Sequence, residues 1–276
     1  MIKDGINNPP KKVLHIWDNA AVSCVLAKFT KPYGYESRVI KRKKFDPFGV
    51  IKYYNQKYIA NIAGPLFIIA AAKIASQADI VHIHSIFKLV PMIKNAKVIL
   101  HYHGSDLRRN LDSEKRKYCE SKADMILVST PDLMQEGFNY LPNPVDTDLF
   151  KPQYHIEKNN KALTFSIRYL DMDLINHDVN MQHILDGMHH DIIDREKDPI
   201  SYEKMPELLN KYNRYIDVKY VDGQKLKAYS VTGLQALACG LEVFNYDNKL
   251  VKGLPDNHRP ENVAAKLDEY YKRLYE

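Results

Sequence analysis

Lys227-Ala-Tyr-Ser-Val-Thr-Gly-Leu-Gln-Ala-Leu-Ala-Cys-Gly240 follows a strand-like run, Tyr215–Val221, and an Asp222-Gly223 turn. Ser230 and Thr232 are both helix-capping residue types, and Leu234, Leu237 and Leu241 recur at three and four residues to give one buried face. Gly240 stands where such a helix stops, because glycine takes the left-handed conformation without steric cost. A strand, a turn and a helix start leave backbone N–H groups unpaired at the positive end of a helix dipole. Those are the makings of an anion site.

Outward from this stretch, strand and helix signals alternate. Val13–Trp17 is a compact apolar run ending at Asp18-Asn19, as a buried parallel strand ends in a loop. Ala20–Thr30 is expected as the next helix and Ser37–Ile40 as the next strand. Asn55–Gln77 reads as a long helical region kinked at Gly64-Pro65. Further strands are expected at Ile80–His84, Val98–Tyr102 and Met125–Ser129, and helices at Phe87–Lys94 and Glu114–Ser121, with a helical turn at Pro131–Gly137. Leu141–Pro152 has three prolines in twelve residues and reads as a connector. Beyond it, strands are expected at Leu163–Tyr169, Asp191–Asp194, Tyr215–Val221 and Leu241–Tyr246. Helices are expected at Asn180–Met188, Tyr202–Tyr212 and Pro260–Tyr275. This alternation argues for α/β architecture with parallel sheets. The 276 residues suit two domains, 1–150 and 151–276, since domains commonly hold ~100–150 residues.

The composition, 45% hydrophobic and 27% charged, is that of a soluble globular protein. Cys24, Cys119 and Cys239 are widely spaced and lack a His/Cys ligand pattern, so they read as buried thiols in a reducing compartment. Met1–Lys12 is polar and offers no signal peptide. The apolar stretch Ile59–Ala75 is interrupted by Gly64-Pro65, and spanning a bilayer takes ~20 residues. A cytoplasmic location is expected, with residence at the inner membrane face as an extension. The net charge of +6 is uneven: residues 1–150 carry 22 Lys+Arg against 14 Asp+Glu, and residues 151–276 carry 18 against 20. The basic first half, with its run Lys41-Arg42-Lys43-Lys44, suggests an anionic partner. No nucleic-acid-binding signature accompanies the charge, which argues against nucleic acid. Nor does a G-x-G-x-x-G follow the first strand, so a dehydrogenase-type dinucleotide site is unsupported.

Four segments carry a resemblance. Ala78-Asp-Ile-Val-His-Ile-His-Ser85, Val98–Asp106 with its His103-Gly-Ser-Asp106 end, Asn143-Pro-Val-Asp-Thr-Asp-Leu-Phe-Lys-Pro152, and Leu234-Gln-Ala-Leu-Ala-Cys-Gly-Leu241 occur in that order. Together they resemble the retaining family-4 glycosyltransferases; Pro199–Leu209 also resembles the segment before that family's nucleotide-binding strand. The resemblance implies a GT-B-like fold: two Rossmann-like domains with parallel sheets facing across a cleft, the second domain small. It implies transfer of a sugar from a nucleotide-diphosphate donor with retained anomeric configuration. Neither a metal nor another cofactor is implied. The acceptor suggested by the basic first half is anionic, such as a lipid-linked glycan or a phospholipid headgroup at a membrane surface.

Residue by residue, the resemblance assigns the donor diphosphate to the helix start, Tyr229, Ser230, Val231 and Thr232, and to Arg168. The lysine expected five residues after Arg168 is Asp173. The two expected glutamates fall on Lys227 and Gln235; Lys227 offers a cation, and Gln235 either a hydrogen bond to a ribose hydroxyl or a capping box with Thr232. Arg195 and Ile200 flank the position of the nucleotide base. His103 is placed at the donor sugar or reacting centre, while one of each neighbouring pair among His82, His84 and His101 is expected to be structural. Asn19 is placed on the acceptor side, though the family's glycines are absent from Asp18–Ser23. Asp106, also on that side, is expected to cap its loop. The acidic pairs Asp146/Asp148 and Asp171/Asp173 are the nearest thing to metal ligands, and a glycosyltransferase-like protein without transfer activity stays open as the alternative.

Overall fold

The computed structural model describes residues 11–59, 62–166, 189–195, 197–221 and 224–276. Among them the first sheet is built from β1 (Lys11–Ile16), β2 (Tyr35–Arg42), β3 (Lys57–Ile59), β4 (Ile80–His84), β5 (Lys97–Tyr102), β6 (Met125–Val128) and β7 (Asn139–Tyr140). Their order is β3-β2-β1-β4-β5-β6-β7, and every pairing is parallel. The chain steps outward from β1, then crosses back to β4, so the loops after β1 and β4 open side by side at the carboxyl edge. In such sheets ligands bind at that reversal. All of β4 is buried, as a strand covered on both faces must be.

The second sheet uses β8 (Asn159–Ser166), β9 (His190–Asp194), β10 (Tyr212–Ile216), β13 (Glu242–Phe244) and β14 (Leu250–Lys252) in the order β14-β13-β10-β8-β9. Only β14 runs antiparallel within it. A small antiparallel pair, β11 (Tyr220–Val221) and β12 (Gln224–Lys225), lies between β10 and the next helix. Here the reversal falls between β8 and β10, whose carboxyl ends are Ser166 and Ile216.

Four expectations are corrected. Gly64-Pro65 does not kink a helix over Asn55–Gln77 but begins one, Gly64–Ala75, because proline is tolerated in a first turn that donates no intrahelical bond. Ahead of it Asn55 turns left-handed (φ 52°) and the chain forms β3. The helix expected over Tyr202–Tyr212 stops at Asn210, and Tyr212 opens β10, which ends at Ile216 rather than Val221. Phe87–Lys94 is a 3₁₀ segment, Phe87–Met92, with Pro91 inside it. The expected Asn180–Met188 helix lies outside the described residues.

One apolar core runs through both sheet units. Cys24, Val25 and Ile51 are buried in the same cluster as Phe150, Leu163, Tyr202 and Tyr215. The connector is pinned there by Asp146, which accepts two bonds from Lys28 Nζ (2.8 and 2.9 Å) and one from the Tyr54 hydroxyl (2.7 Å). The terminal helix, Pro260–Arg273, returns to the first sheet. Its Val263, Leu267 and Tyr271 pack with Val13, Ile80 and Ile99, and Tyr35 donates to Asp268 (2.9 Å). All three cysteines are buried and unpaired.

The helix Val231–Ala238 is capped at both ends. Ser230 Oγ accepts from Gly233 N–H (2.9 Å). At the other end Gly240 (φ 81°) donates to Leu237 O and Leu241 donates to Ala236 O, the Schellman pair of bonds. Gly233 lies against the buried Asp217 carboxylate, and a Cβ there would fall 2.1 Å from Asp217 Oδ2. Asp217 cannot swing away, since it accepts Ser230 N–H (2.8 Å) and the Ser230 hydroxyl. Gly233→Ala is therefore expected to destabilise the protein by about 2–3 kcal/mol, as overpacking does. Urea unfolding of Gly233→Ala, Asp217→Ala and the double variant should be strongly non-additive; simple addition would show that the two residues do not meet.

Candidate functional site

The first side of the site is the carboxyl edge of β1, β4 and β5. Trp17 (φ 78°), Ala20 (φ 51°), Ala21 (φ 72°) and Ser85 (φ 65°) are all left-handed without being glycine. Such backbone costs about 1–3 kcal/mol per residue and gathers at functional sites. Asn19 donates from its amide to the Ser85 hydroxyl, tying the β1 and β4 loops together. Buried Asp18 accepts the N–H groups of Ala21 (3.0 Å) and Cys24 (3.2 Å), and Lys41 Nζ donates to the Asp18 carbonyl (2.7 Å). The loop thus follows a glycine-like path in a sequence lacking the glycines. Lys41 and Arg42 are buried, so only Lys43 and Lys44 of the basic run face solvent, which halves the charge expected to meet an anionic partner.

Beside this loop lies an array of imidazoles. His15 and His82 are register partners, as are His84 and His101, and the i, i+2 spacing puts His82 with His84 and His101 with His103 on one sheet face. The rings form two rails. Along one, His15 Nδ1 meets His84 Nε2 (3.1 Å), His84 Nδ1 meets His103 Nε2 (2.8 Å), and His103 Nδ1 meets Ser129 Oγ (2.7 Å). Along the other, the Tyr271 hydroxyl meets His82 Nδ1 (3.1 Å), His82 Nε2 meets His101 Nδ1 (3.2 Å), and His101 Nε2 meets the same Ser129 Oγ (3.0 Å). The rails lie side by side, His82 stacked on His84 with centroids 4.4 Å apart and His101 tilted against His103 at 4.2 Å. Burial lowers the pKa of His15 to about 3 and holds His82, His84 and His101 well below the usual histidine range. Half-buried His103 is lowered by burial too, against the pull of Asp106 and Asn143. Two triads, His15/His82/His84 and His84/His101/His103, gather ring nitrogens within 4.8 Å. Their nitrogens point at one another rather than at a shared centre, and zinc needs bonds of roughly 2.0–2.1 Å to each.

Asp106 accepts the backbone N–H groups of His103 (2.9 Å), Gly104 (2.7 Å) and Leu107 (3.0 Å), so it caps its own loop. Asn143 of the connector lies against His103, and its carbonyl meets His258 Nδ1 (2.8 Å). His258 in turn meets Tyr229 edge-on. Those contacts lead to the second side.

There the chain presents the capped helix start. Ser230 is spent on Asp217 and Gly233, and Asp217 also pairs with Lys219 (3.3 Å), although burial still raises its pKa. Tyr229 accepts from Asn245 and packs on Tyr246, and Val231 packs against the first unit's core. The Val231 and Thr232 N–H groups have no acceptor among the described residues. Gln235 is buried at 6% exposure, and since Ser230 rather than Thr232 is the cap, a Thr232–Gln235 capping box does not form. Lys227 is exposed and makes no ion pair among the described residues. Arg195 lies across the gap, with its guanidinium 3.8 Å from the Phe48 ring and its pKa lowered to about 10 by burial. Ile200 packs against the shared core and is a packing residue. Arg168 and the Asp171/Asp173 pair lie outside the described residues. Asp146 and Asp148 both grip Lys28 (2.8 and 2.7 Å), which accounts for that acidic pair. The sequence reading missed Asp217, Ser129, Asn143 and Tyr271. An acid or serine closing an apolar strand was the available signal for the first two.

No family model and no curated protein matches the sequence. Solved structures match at the level of fold. An alpha-glucosyltransferase in complex with UDP and a 13-mer DNA containing a central A:G mismatch superposes with a TM-score of 0.52 at 14% identity, over 96% of this chain and 90% of that one. An alpha-glucosyltransferase in complex with UDP-glucose and DNA containing an abasic site gives 0.50 at 11%, over 96% and 89%. UDP-GlcNAc 2-epimerase from Neisseria meningitidis bound to UDP-GlcNAc gives 0.49 at 14%, over 95% and 93%. The chain has the two-unit GT-B fold of glycosyltransferases. Among the described residues no helix is long and apolar enough to cross a membrane.

The buried imidazoles are expected to make the protein acid-labile. Each binds a proton in the unfolded chain near pH 6.5 but resists it when folded, so stability falls as pH drops below that value. Each ring approaches a slope of about 1.4 kcal/mol per pH unit only once its unfolded form is charged, so four of them remove roughly 6–7 kcal/mol between pH 6.5 and 5, a large part of a typical folding free energy. Urea midpoints measured across that range should collapse; a flat profile would show rings already charged or solvated. Ala20 is exposed and left-handed, so Ala20→Gly should stabilise by about 0.5–1 kcal/mol while Ala20→Val destabilises. Equal stability of all three would mean that the loop is unstrained.

Proposed function

We propose that the protein transfers a sugar from a nucleotide-diphosphate donor to an acceptor. The carrying observation is the helix start at the second sheet's reversal, where the Val231 and Thr232 N–H groups have no acceptor among the described residues and are held in place by Ser230 and Asp217. Two adjacent amides at a helix N-terminus suit a diphosphate, and they favour the charge that grows on it as it leaves. Exposed Lys227, three residues before the cap, adds a cation within the same loop. The fold likeness to alpha-glucosyltransferases solved in complex with UDP and with UDP-glucose supports the reading. Retention would follow from attack on the face that the diphosphate leaves, with a departing phosphate oxygen taking the acceptor's proton. The metal-independent character rests on the same amides and cation. The basic first half supports an anionic acceptor at a membrane surface, weakened by the burial of Lys41 and Arg42.

A second reading, a sugar-nucleotide-binding module without transfer, is favoured by Lys227 and Gln235 standing where the resemblance expects carboxylates. A panel of nucleotide sugars, followed by thermal shift and by release of free nucleotide with and without lipid acceptors, separates the two. Transfer predicts release with at least one donor; binding without release throughout would leave only the module. In the same assay Lys227→Ala should weaken UDP about fivefold, the worth of one exposed ion pair, while leaving UMP nearly unchanged. Equal losses would remove Lys227 from the diphosphate.

A further inference from the structure

The two imidazole rails meet on a single hydroxyl, and where that hydroxyl's one proton lies sets the direction of each rail. Ser129 Oγ lies 3.1 Å from the Tyr102 carbonyl, an acceptor that can only receive. A hydroxyl has one proton and two lone pairs. With its proton on Tyr102 O, both neighbouring rings must donate to it, as His101 Nε2–H and His103 Nδ1–H. A neutral imidazole has one N–H, so each rail then runs in one direction. His101 Nδ1 accepts from His82 Nε2–H, and His82 Nδ1 accepts from Tyr271. Likewise His103 Nε2 accepts from His84 Nδ1–H, and His84 Nε2 accepts from His15 Nδ1–H. The leftover is the bare lone pair of His15 Nε2, and that atom is indeed buried without a partner among the described residues. Reversing the first rail would instead bury an N–H there with no acceptor, the rarer and costlier defect.

We propose that Ser129 is a positioning residue that holds His103 in the neutral Nδ1–H tautomer, with both ring nitrogens engaged and only ring C–H edges left for the cleft. His103 therefore does not donate a hydrogen bond to a bound sugar, the role its position first suggested. The groups facing it are the Asp106 and Asp18 carboxylates, which favour protonation, the Asn143 amide, and the neutral rings of His84 and His101. With Ser129 holding the proton on Nδ1, a proton added to His103 must enter at Nε2, and it can do so only if the hydrogen bond from His84 breaks. This rests on the transfer reading for its purpose: the sugar ring gains positive charge as its bond to phosphate breaks, and a fixed neutral ring spares it an opposing imidazolium.

Long-range ¹H–¹⁵N spectra of the full-length protein at pH 7.5 report each histidine's tautomer directly, with single histidine substitutions supplying assignments. The expected result is Nδ1–H for His15, His84 and His103 and Nε2–H for His82 and His101. Ser129→Ala should give His103 mixed tautomers that titrate between pH 7.5 and 6, and Ser129→Thr, which keeps the hydroxyl, should restore the single form. Where a donor is turned over, Ser129→Ala should lose about fourfold in rate over that range as a ring of ordinary pKa charges, and wild type should not. His103 found as Nε2–H in wild type would overturn the proposal, as would nitrogen shifts on adding one equivalent of Zn²⁺. The tautomer spectra need no substrate, so they decide this inference even if no donor is ever transferred.

Discussion

Asp146 is a carboxylate at 1% exposure that receives the Lys28 ammonium, the Tyr54 hydroxyl and the Asp148 N–H. Its donors come from the helix after β1, the segment before β3 and the connector itself. Burying this charge unpaired costs several kcal/mol, so the three segments must arrive together for either unit to close. Tyr54 passes the constraint on, sharing a hydrogen bond with Tyr202 (3.1 Å), whose N–H donates to Phe48 O (2.8 Å). Three residues before Asp146, Asn143 rests on His103. One ion pair therefore sets how the loop of the first sheet stands relative to the connector, and through His258 and Tyr229 relative to the helix start of the second.

The two sides reach their shapes by opposite means. On the second side, glycine is required: Gly233 lets the helix press onto Asp217, and Gly240 closes its far end. On the first side, the left-handed turns fall on Trp17, Ala20, Ala21 and Ser85, and the neighbouring bonds from Asp18, Asn19 and Lys41 hold them. Strain of this kind persists only where the surroundings over-determine it. The shared core beneath the loop, with Ala21, Cys24 and Val25 packed on the second unit, supplies that.

Much of the architecture was legible because buried parallel strands are apolar runs of fixed length, and Ile80–His84 and Val98–Tyr102 could hardly be anything else. The failures have local causes. Gly64-Pro65 carries the same letters whether it kinks a helix or starts one, and the deciding feature is the left-handed Asn55 upstream. Tyr212 reads equally as a helix end and a strand start, and its pairing with Asn159 decides. In the site, the alternation of His82 with His84 was visible, but His15 joins them only through strand pairing with a residue 67 positions along the chain. Tyr271 joins only because the terminal helix crosses back. The strain at Ala20 and Ala21 left no mark, since alanine does not announce a positive φ.

The carboxylates around the site bear on what chemistry it can support. Asp18 and Asp106 are bound to backbone N–H groups, Asp146 to Lys28 and Tyr54, and Asp217 to Ser230 and Lys219. Each is committed to holding a loop or helix in place, and each would release that element if it became protonated or formed a covalent bond. The positions where the resemblance expects free glutamates hold an exposed lysine and a buried glutamine. The rings along the first edge are neutral and face inward. Among the described residues the site thus offers cations, amides and fixed dipoles, but no uncommitted carboxylate to serve as nucleophile or base. On the proposed transfer reading, such a site would stabilise the leaving anion and take its proton acceptor from the ligands themselves, the division of labour that front-face transfer from a diphosphate donor requires.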